Sequence, residues 1–103
     1  MKIPTKFKLM GQTFNVEYNK ELINERDLVG VAKLRLNKIE LQPNVGGIPI
    51  TDEQLGHTFC HELVHCILGV LGEKELKENE KFVDTFGGLL FQMLETSEYE
   101  DTL

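Results

Sequence analysis

The stretch Thr51–Gly72, TDEQLGHTFCHELVHCILGVLG, decides how the C-terminal half of this chain folds. Thr51 followed three residues later by Gln54 is a capping box, which predicts that a helix begins at residue 52. Gly72 suits the left-handed position just past a helix end, so the helix is predicted to run over about 52–71. Its apolar residues lie on most sides, which is typical of a helix in the middle of a domain.

Two histidines and a glutamate interrupt this apolar helix. His61 and His65 are one turn apart on one face, so both imidazoles can bind the same metal ion. Glu62 follows the first histidine and can take a proton from water at the open coordination position. Imidazoles at this spacing suit Zn²⁺, so the sequence predicts a zinc site with Glu62 as general base. The alternative is an ordinary helix with two solvent-facing histidines.

The composition indicates one small acidic domain. The chain has 103 residues, 41% of them hydrophobic, and a formal net charge of −6. This charge argues against binding to nucleic acid or to anionic membranes. No apolar run approaches the length of a membrane span, and the basic N-terminus, Met1–Lys6, is not followed by the apolar stretch of a secretory signal. We expect a single domain over residues 1–103 and leave its oligomeric state open.

Cys60 and Cys66 are the two cysteines of the chain. On one helix they lie six residues apart on different faces, so they cannot form a disulfide with each other. Two free thiols fit a reducing compartment, and we expect the protein to be cytoplasmic.

The hydrophobic periodicity changes near Pro49. Before it, apolar residues alternate with polar ones, and after it they recur with helical spacing, so we expect an α+β fold. Strands are predicted within residues 6–41: a hairpin that turns at Gly11, then two short strands at Leu28–Val31 and Lys38–Leu41. The expected sheet is small and mainly antiparallel.

The C-terminal third is expected to add a second helix. Apolar residues with helical spacing predict it over about 78–95. The acidic tail over 96–103 is expected to be mobile. The sheet is therefore predicted to pack on a two-helix unit that carries the metal ligands.

A catalytic zinc ion takes three protein ligands and keeps one coordination position open. The remaining histidine, His57, lies about two helical turns before His65, or about 12 Å along the helix axis. One ion therefore cannot bind all three histidines. The third ligand is expected to be a carboxylate or, less readily, a thiolate.

The pairing of the two helices points to that carboxylate. If the chain turns immediately after the first helix, His65 lies opposite Glu80 and His61 lies opposite Asp84. Because Glu80 and Asp84 are one turn apart, they share a helix face. We predict Glu80 as the third ligand and Asp84 as the acceptor that orients the His61 ring. Glu78 and Asp84 are the alternative ligands, and a charged helix surface is the alternative for all three.

Gly87 and Gly88 lie inside the predicted second helix, where a glycine costs about 1 kcal/mol relative to alanine. Without side chains at these positions, the two helices can approach until a carboxylate reaches the metal. The alternative is that the glycines only bend the helix.

The segments Thr58–His65, TFCHELVH, and Glu80–Gly87, EKFVDTFG, resemble the two motif helices of the ImmA/IrrE family of small zinc-peptidase-like proteins. The spacing is also similar to that of gluzincins, in which a second helix supplies a glutamate ligand and then Asp or Asn one turn later. The resemblance covers roughly residues 38–94 and implies a minimal zincin-like fold. This chain is very short for the family and has His57 where an apolar or aromatic residue is more usual.

The resemblance implies a zinc metallopeptidase that cleaves an intracellular protein, such as a phage or mobile-element repressor. In such folds the strand before the active-site helix often forms the edge that binds the substrate. Here that strand would contain Ile39, Glu40 and Leu41, and a peptide could add there as a further strand. An ordinary edge strand is the alternative.

Peptide hydrolysis also needs a donor to the developing oxyanion. His57 and Tyr99 are the candidates, and a packed or solvated side chain is the alternative for each. Two further functions fit the sequence. One is a zinc-binding protein without turnover that acts as a phage or bacterial regulatory module, and the other is an interaction module without metal.

Overall fold

The N-terminal half forms a sheet and the C-terminal half forms helices, so the chain has an α+β fold. The structure is a computed structural model that describes residues 1–101. Its elements, in chain order, are β1 (Lys6–Leu9), β2 (Gln12–Tyr18), α1 (Leu22–Arg26), β3 (Gly30–Lys33), a 3-10 helix (Leu34–Leu36), β4 (Lys38–Leu41), β5 (Asn44–Val45), β6 (Ile48–Pro49), α2 (Asp52–Leu71), α3 (Lys74–Lys77) and α4 (Glu80–Thr96).

The main sheet is mixed and has the strand order β1-β2-β4-β3. β1 pairs antiparallel with β2, and β3 pairs antiparallel with β4, but β2 and β4 run parallel with Val16 opposite Ile39. The parallel pair arises because the chain passes through α1 to the far edge, forms β3 there, and returns to fill the gap with β4. β5 and β6 form a separate two-stranded ribbon between β4 and α2.

The prediction that Ile39, Glu40 and Leu41 form the substrate-binding edge is wrong. These residues lie in β4, which is hydrogen-bonded to β2 on one side and to β3 on the other, so its backbone groups cannot pair with a peptide. The edge strands are β1 and β3. β3 is also the edge that contacts α2.

α2 is the central helix of the fold, because it contacts both the sheet and α4. The sheet and both long helices contribute to one buried cluster, which contains Phe14, Val16, Ile39, Leu41, Phe59, Cys60, Cys66 and Phe91. A second cluster, between α2 and α4, contains Val64, Leu68 and Val83. Burial on both sides explains why the sequence of α2 is apolar nearly all round. Both cysteines are free and buried.

The capping box begins α2 as its sequence predicts. The Thr51 hydroxyl accepts a hydrogen bond from the Gln54 amide at 3.2 Å, and the Gln54 side chain accepts one from the Thr51 amide at 3.4 Å. Gly72 ends the helix with φ of 75°, a left-handed conformation that favours glycine. α4 begins at Glu80 because the Asn79 side chain caps it, accepting from the Phe82 amide at 3.0 Å.

Residues 97–101 follow α4 without regular secondary structure, and the rest of the predicted tail lies outside the described residues. Within residues 1–101, no helix combines the length and the hydrophobicity needed to cross a bilayer.

Candidate metal centre

His61, His65 and Glu80 form a cluster that could hold a metal ion. Nε2 of His61 lies 3.1 Å from one carboxylate oxygen of Glu80, and Nε2 of His65 lies 3.1 Å from the other. One ligand atom from each residue falls within 4.8 Å of the other two. Two ring nitrogens therefore converge on a single carboxylate that α4 presents to α2.

The donor set and its spacing fit a zinc ion. Tetrahedral zinc with ligands at about 2.0–2.1 Å places neighbouring ligand atoms about 3.3 Å apart, and each histidine nitrogen lies at a similar distance, 3.1 Å, from one of the two oxygens of Glu80. Two imidazoles and a carboxylate leave one position of a tetrahedron open. Other divalent ions also accept nitrogen and oxygen ligands, so the donor set alone does not select the metal.

Each imidazole has a hydrogen-bond partner in addition to Glu80. Nδ1 of His61 lies 3.3 Å from a carboxylate oxygen of Asp84. The ring of His65 bonds to the backbone carbonyl of Lys77 in α3. Such acceptors fix the ring orientation and leave Nε2 to face a metal.

His65 favours the neutral form that binds metals. Burial is the largest influence on this ring and lowers its pKa below the usual value, and the nearby His61 also lowers it. The Glu80 carboxylate and the Lys77 carbonyl oppose this effect without reversing it. At neutral pH the ring is therefore largely uncharged and has a free lone pair.

Glu62 lies beside the cluster in a buried position, with only 8% of its surface exposed. Burial is the largest influence on its pKa and, together with the negative charge of Glu80, raises it to about 7. His61 and a hydrogen bond from the Ala32 backbone amide lower it. A carboxyl group with a pKa near neutrality can both accept and release a proton under physiological conditions.

Two glycines allow the elements around the cluster to approach closely. A Cβ on Gly87 would lie 3.0 Å from Cα of His61, so α4 touches the backbone of α2 at the level of a ligand. A Cβ on Gly30 would lie 2.4 Å from Cγ2 of Thr58 and 3.4 Å from the Glu62 side chain. β3 is thereby held against the face of α2 that carries the general-base candidate.

A cavity of about 520 Å³ opens over the cluster, and we call it the metal cavity. His61, Glu62, His65 and Glu80 lie on its helical side. The edge strand β3 and its flanking apolar residues form the opposite wall, with Leu28 before the strand and Leu34 after it. The metal cluster thus faces an open groove between a sheet edge and two helices.

The other candidate residues of the sequence analysis lie in different places. Glu78 lines the metal cavity but is not part of the three-residue cluster, and Asp84 contacts His61. His57 packs against Phe91, with ring centroids 5.6 Å apart. Tyr99 follows α4 and is 84% exposed. The structure therefore brings Glu80 and Asp84 to the two histidines, whereas both oxyanion-donor candidates lie elsewhere.

Two contributors to the site are backbone groups that sequence reasoning missed. The Lys77 carbonyl orients His65, and the Ala32 amide bonds to Glu62. Side-chain patterns carry no signal for the first group. The second could have been suspected from Gly30, because a glycine within a strand often marks a close backbone approach.

No protein-family model matches this chain, and no curated protein or solved structure is similar to it.

Proposed function

We propose that the protein is a zinc-dependent peptidase. The observation that carries the proposal is the position of Glu62, buried at the wall of the same cavity as the His61, His65 and Glu80 cluster. A purely structural metal site has no need of an acidic side chain with a raised pKa beside it. The resemblance of the two motif helices to the ImmA/IrrE family supports the same activity, with an intracellular protein as substrate.

The reaction needs a nucleophile and a place for its proton. Zinc held by these three side chains would supply a Lewis acid that polarises the scissile carbonyl and acidifies a water molecule. The Glu62 carboxylate accepts the water proton and passes it to the nitrogen of the leaving amine. The hydrogen bond from the Ala32 amide and the close approach of Gly30 hold the Glu62 side chain at the wall of the cavity.

β3 offers the substrate a backbone to pair with. It is the edge of the sheet that lines the metal cavity, and within residues 1–101 no strand pairs with its outer side. An extended peptide could add there by main-chain hydrogen bonds. Because Ala32 of this strand contacts Glu62, a peptide bond paired with β3 lies close to the general base.

Glu62→Gln tests the proposal. The variant should keep its fold and bind zinc as the wild type does, but it should lose cleavage of unfolded protein substrates and peptide mixtures, because the amide cannot accept the proton. Glu78→Gln is the matched control, since Glu78 lines the same cavity without belonging to the cluster. Cleavage that survives Glu62→Gln would show that this mechanism is wrong.

A zinc-binding protein without turnover is the second candidate. It is favoured by the positions of His57 and Tyr99, because neither oxyanion-donor candidate lies at the metal cavity. In that case zinc raises the melting temperature of the wild type, while neither the wild type nor Glu62→Gln cleaves any peptide.

A further inference from the structure

A second cavity of about 390 Å³ adjoins the metal cavity. The two cavities share Leu34 and Lys77 in their walls, so these two side chains stand at the boundary between them. The shared wall lies where the chain leaves β3 and enters the 3-10 helix Leu34–Leu36. A ligand that runs along β3 over the metal cluster therefore reaches the second cavity next.

The second cavity is positively charged. Arg35 and Lys77 line it, and its wall contains no acidic residue from the described part of the chain. Within residues 1–101 neither cation forms an ion pair. The two charges are thus available to a ligand.

Packing holds Lys77 at the boundary. Its Cδ would lie 3.7 Å from a Cβ on Gly69, and Cδ1 of Leu34 would lie 3.0 Å from the same point. Both side chains therefore occupy the space beside Gly69, and a larger residue at position 69 would displace them. The hydrocarbon stem of Lys77 is covered in this way, and its ammonium group can point into the cavity.

The rest of the second cavity suits an acidic side chain with a hydrocarbon stem. The partly buried side chains of Leu34 and Val70 supply apolar surface, above the buried core residues Phe14 and Cys66. Gln12 and Asn37 supply amide groups, which hydrogen-bond to each other at 3.3 Å. A glutamate can place its methylene groups on this surface and its carboxylate between the two cations.

The spacing along β3 sets where this side chain stands in a bound peptide. Arg35 follows Ala32, the residue that contacts Glu62, by three positions, of which the first is extended and the next two enter the 3-10 helix, so the two residues are about 7 Å apart along the chain. A peptide antiparallel to β3 has its N-terminal part over the Arg35 end. The acidic residue then precedes the scissile bond by about two to four positions.

We propose that the second cavity is a specificity subsite in which Arg35 and Lys77 bind an acidic side chain of the peptide, upstream of the bond that is cleaved. This inference rests on the proposed peptidase function, because it assigns a substrate feature to the same groove. It makes Arg35 and Lys77 specificity residues, with no part in the bond cleavage itself.

Paired peptides that differ only in Glu or Gln at positions two to four before the cleaved bond test the inference. The zinc-loaded wild type should cleave the Glu peptide with about fivefold higher kcat/KM, the effect expected for a partly exposed ion pair of about 1 kcal/mol. Arg35→Glu with Lys77→Glu should abolish or reverse that preference and improve cleavage of a Lys peptide. Lys8→Glu is the control. It changes the net charge as much as either single substitution does, but at an exposed position on β1, so it should leave the preference unchanged.

Two further outcomes separate this inference from the proposed function. If Glu and Gln peptides are cleaved equally, the subsite is refuted and the peptidase stands. If no peptide is cleaved, the peptidase proposal fails, and peptide binding then tests the subsite. Fluorescence anisotropy on zinc-loaded Glu62→Gln protein should show tighter binding of the Glu peptide than of the Gln peptide. This difference should disappear when Arg35→Glu is added. Equal binding of both peptides there overturns the inference. Circular dichroism of each variant verifies the fold. Because the group that holds His65 is the backbone carbonyl of Lys77, substitution of the Lys77 side chain leaves it in place.

Discussion

A Cβ atom on Gly87 would lie 3.0 Å from Cα of His61 and 3.2 Å from its backbone nitrogen. The neighbour is helix backbone, which cannot move aside as a side chain can. α2 and α4 therefore approach closely at the level of the first histidine, where Glu80 and Asp84 lie within reach of the two imidazoles.

Gly87→Ala should push the two helices apart. We expect a loss of about 1–3 kcal/mol in the free energy of unfolding and weaker zinc binding, even though alanine favours the helix by about 1 kcal/mol. Gly88→Ala is the control, because its Cβ would meet only the His57 side chain, at 3.3 Å. Urea unfolding and zinc titration measure both effects. Equal behaviour of the two variants would contradict the close-approach argument.

Asp84→Ala should lower zinc affinity about 10-fold or more, because His61 loses the acceptor at its Nδ1. Competition with a chromophoric chelator measures the change. Thr85→Ala, the exposed neighbour on α4, should leave the affinity unaltered. A zinc affinity in Asp84→Ala equal to that of Thr85→Ala would mean that the carboxylate does not orient the ring.

Gly30→Ala should destabilise the fold by about 1–3 kcal/mol through overpacking against α2. The clash is with a single methyl group, Cγ2 of Thr58 at 2.4 Å. Thr58→Ser removes that methyl, so the double variant should recover part of the loss. A double-mutant cycle from urea unfolding measures the coupling. If the two substitutions change the free energy of unfolding additively, the loss in Gly30→Ala does not come from the contact with Thr58.

Glu40 makes stability depend on pH at the acid end. Burial alone would raise the pKa of this carboxyl, but hydrogen bonds from Asn19, Lys33 and Lys38 outweigh it and hold the pKa at about 2. The folded state therefore favours the ionised form. Its contribution is fully present above the ordinary value of 4.5 and is lost as the pH falls through about 2.

Glu40→Gln should lower the free energy of unfolding by about 1–3 kcal/mol at pH 7, because the partly exposed Lys33 and Lys38 lose the counter-charge of a buried carboxylate. The difference from the wild type should shrink as the pH falls from 4.5 toward 2. Glu17→Gln is the control: its side chain also contacts Lys38 but is 52% exposed, so its effect should be small. Denaturant titrations across this pH range measure the free energies of unfolding. A difference between Glu40→Gln and the wild type that does not change with pH would refute the stabilising role of the ionised Glu40 carboxylate.

Local chemistry made the helical half of the fold predictable. Thr51 and Gly72 specify the ends of α2 through hydrogen bonding and a positive φ, which depend only on nearby residues. The placement of Glu80 opposite His65 followed from helix geometry, even though α3 intervenes after Gly72. Asn79 is also a recognisable cap, yet the charged residues before it hid where α4 begins.

Strand order was not accessible in the same way. Alternation shows which face of a strand is buried, but it does not show which strands are neighbours. Glu40 was predicted to lie in an edge strand, whereas it is buried in an inner strand, where two lysines pair with its charge. β3 lies at the edge of the sheet and β4 lies inside it because the chain passes through α1 before it forms β3. Hydrophobic periodicity does not encode that path.

All three residues of the metal cluster come from two helices joined by a short connector, and they span only residues 61–80. Closing so short a loop costs little chain entropy, so a nascent chain could capture an ion before its sheet has assembled. Glu62 becomes buried only when β3, with Ala32, docks on α2. Under the proposed function, metal capture needs only the helical hairpin, whereas proton transfer by Glu62 needs the completed domain, so a partly folded chain would hold its ion in an inactive state.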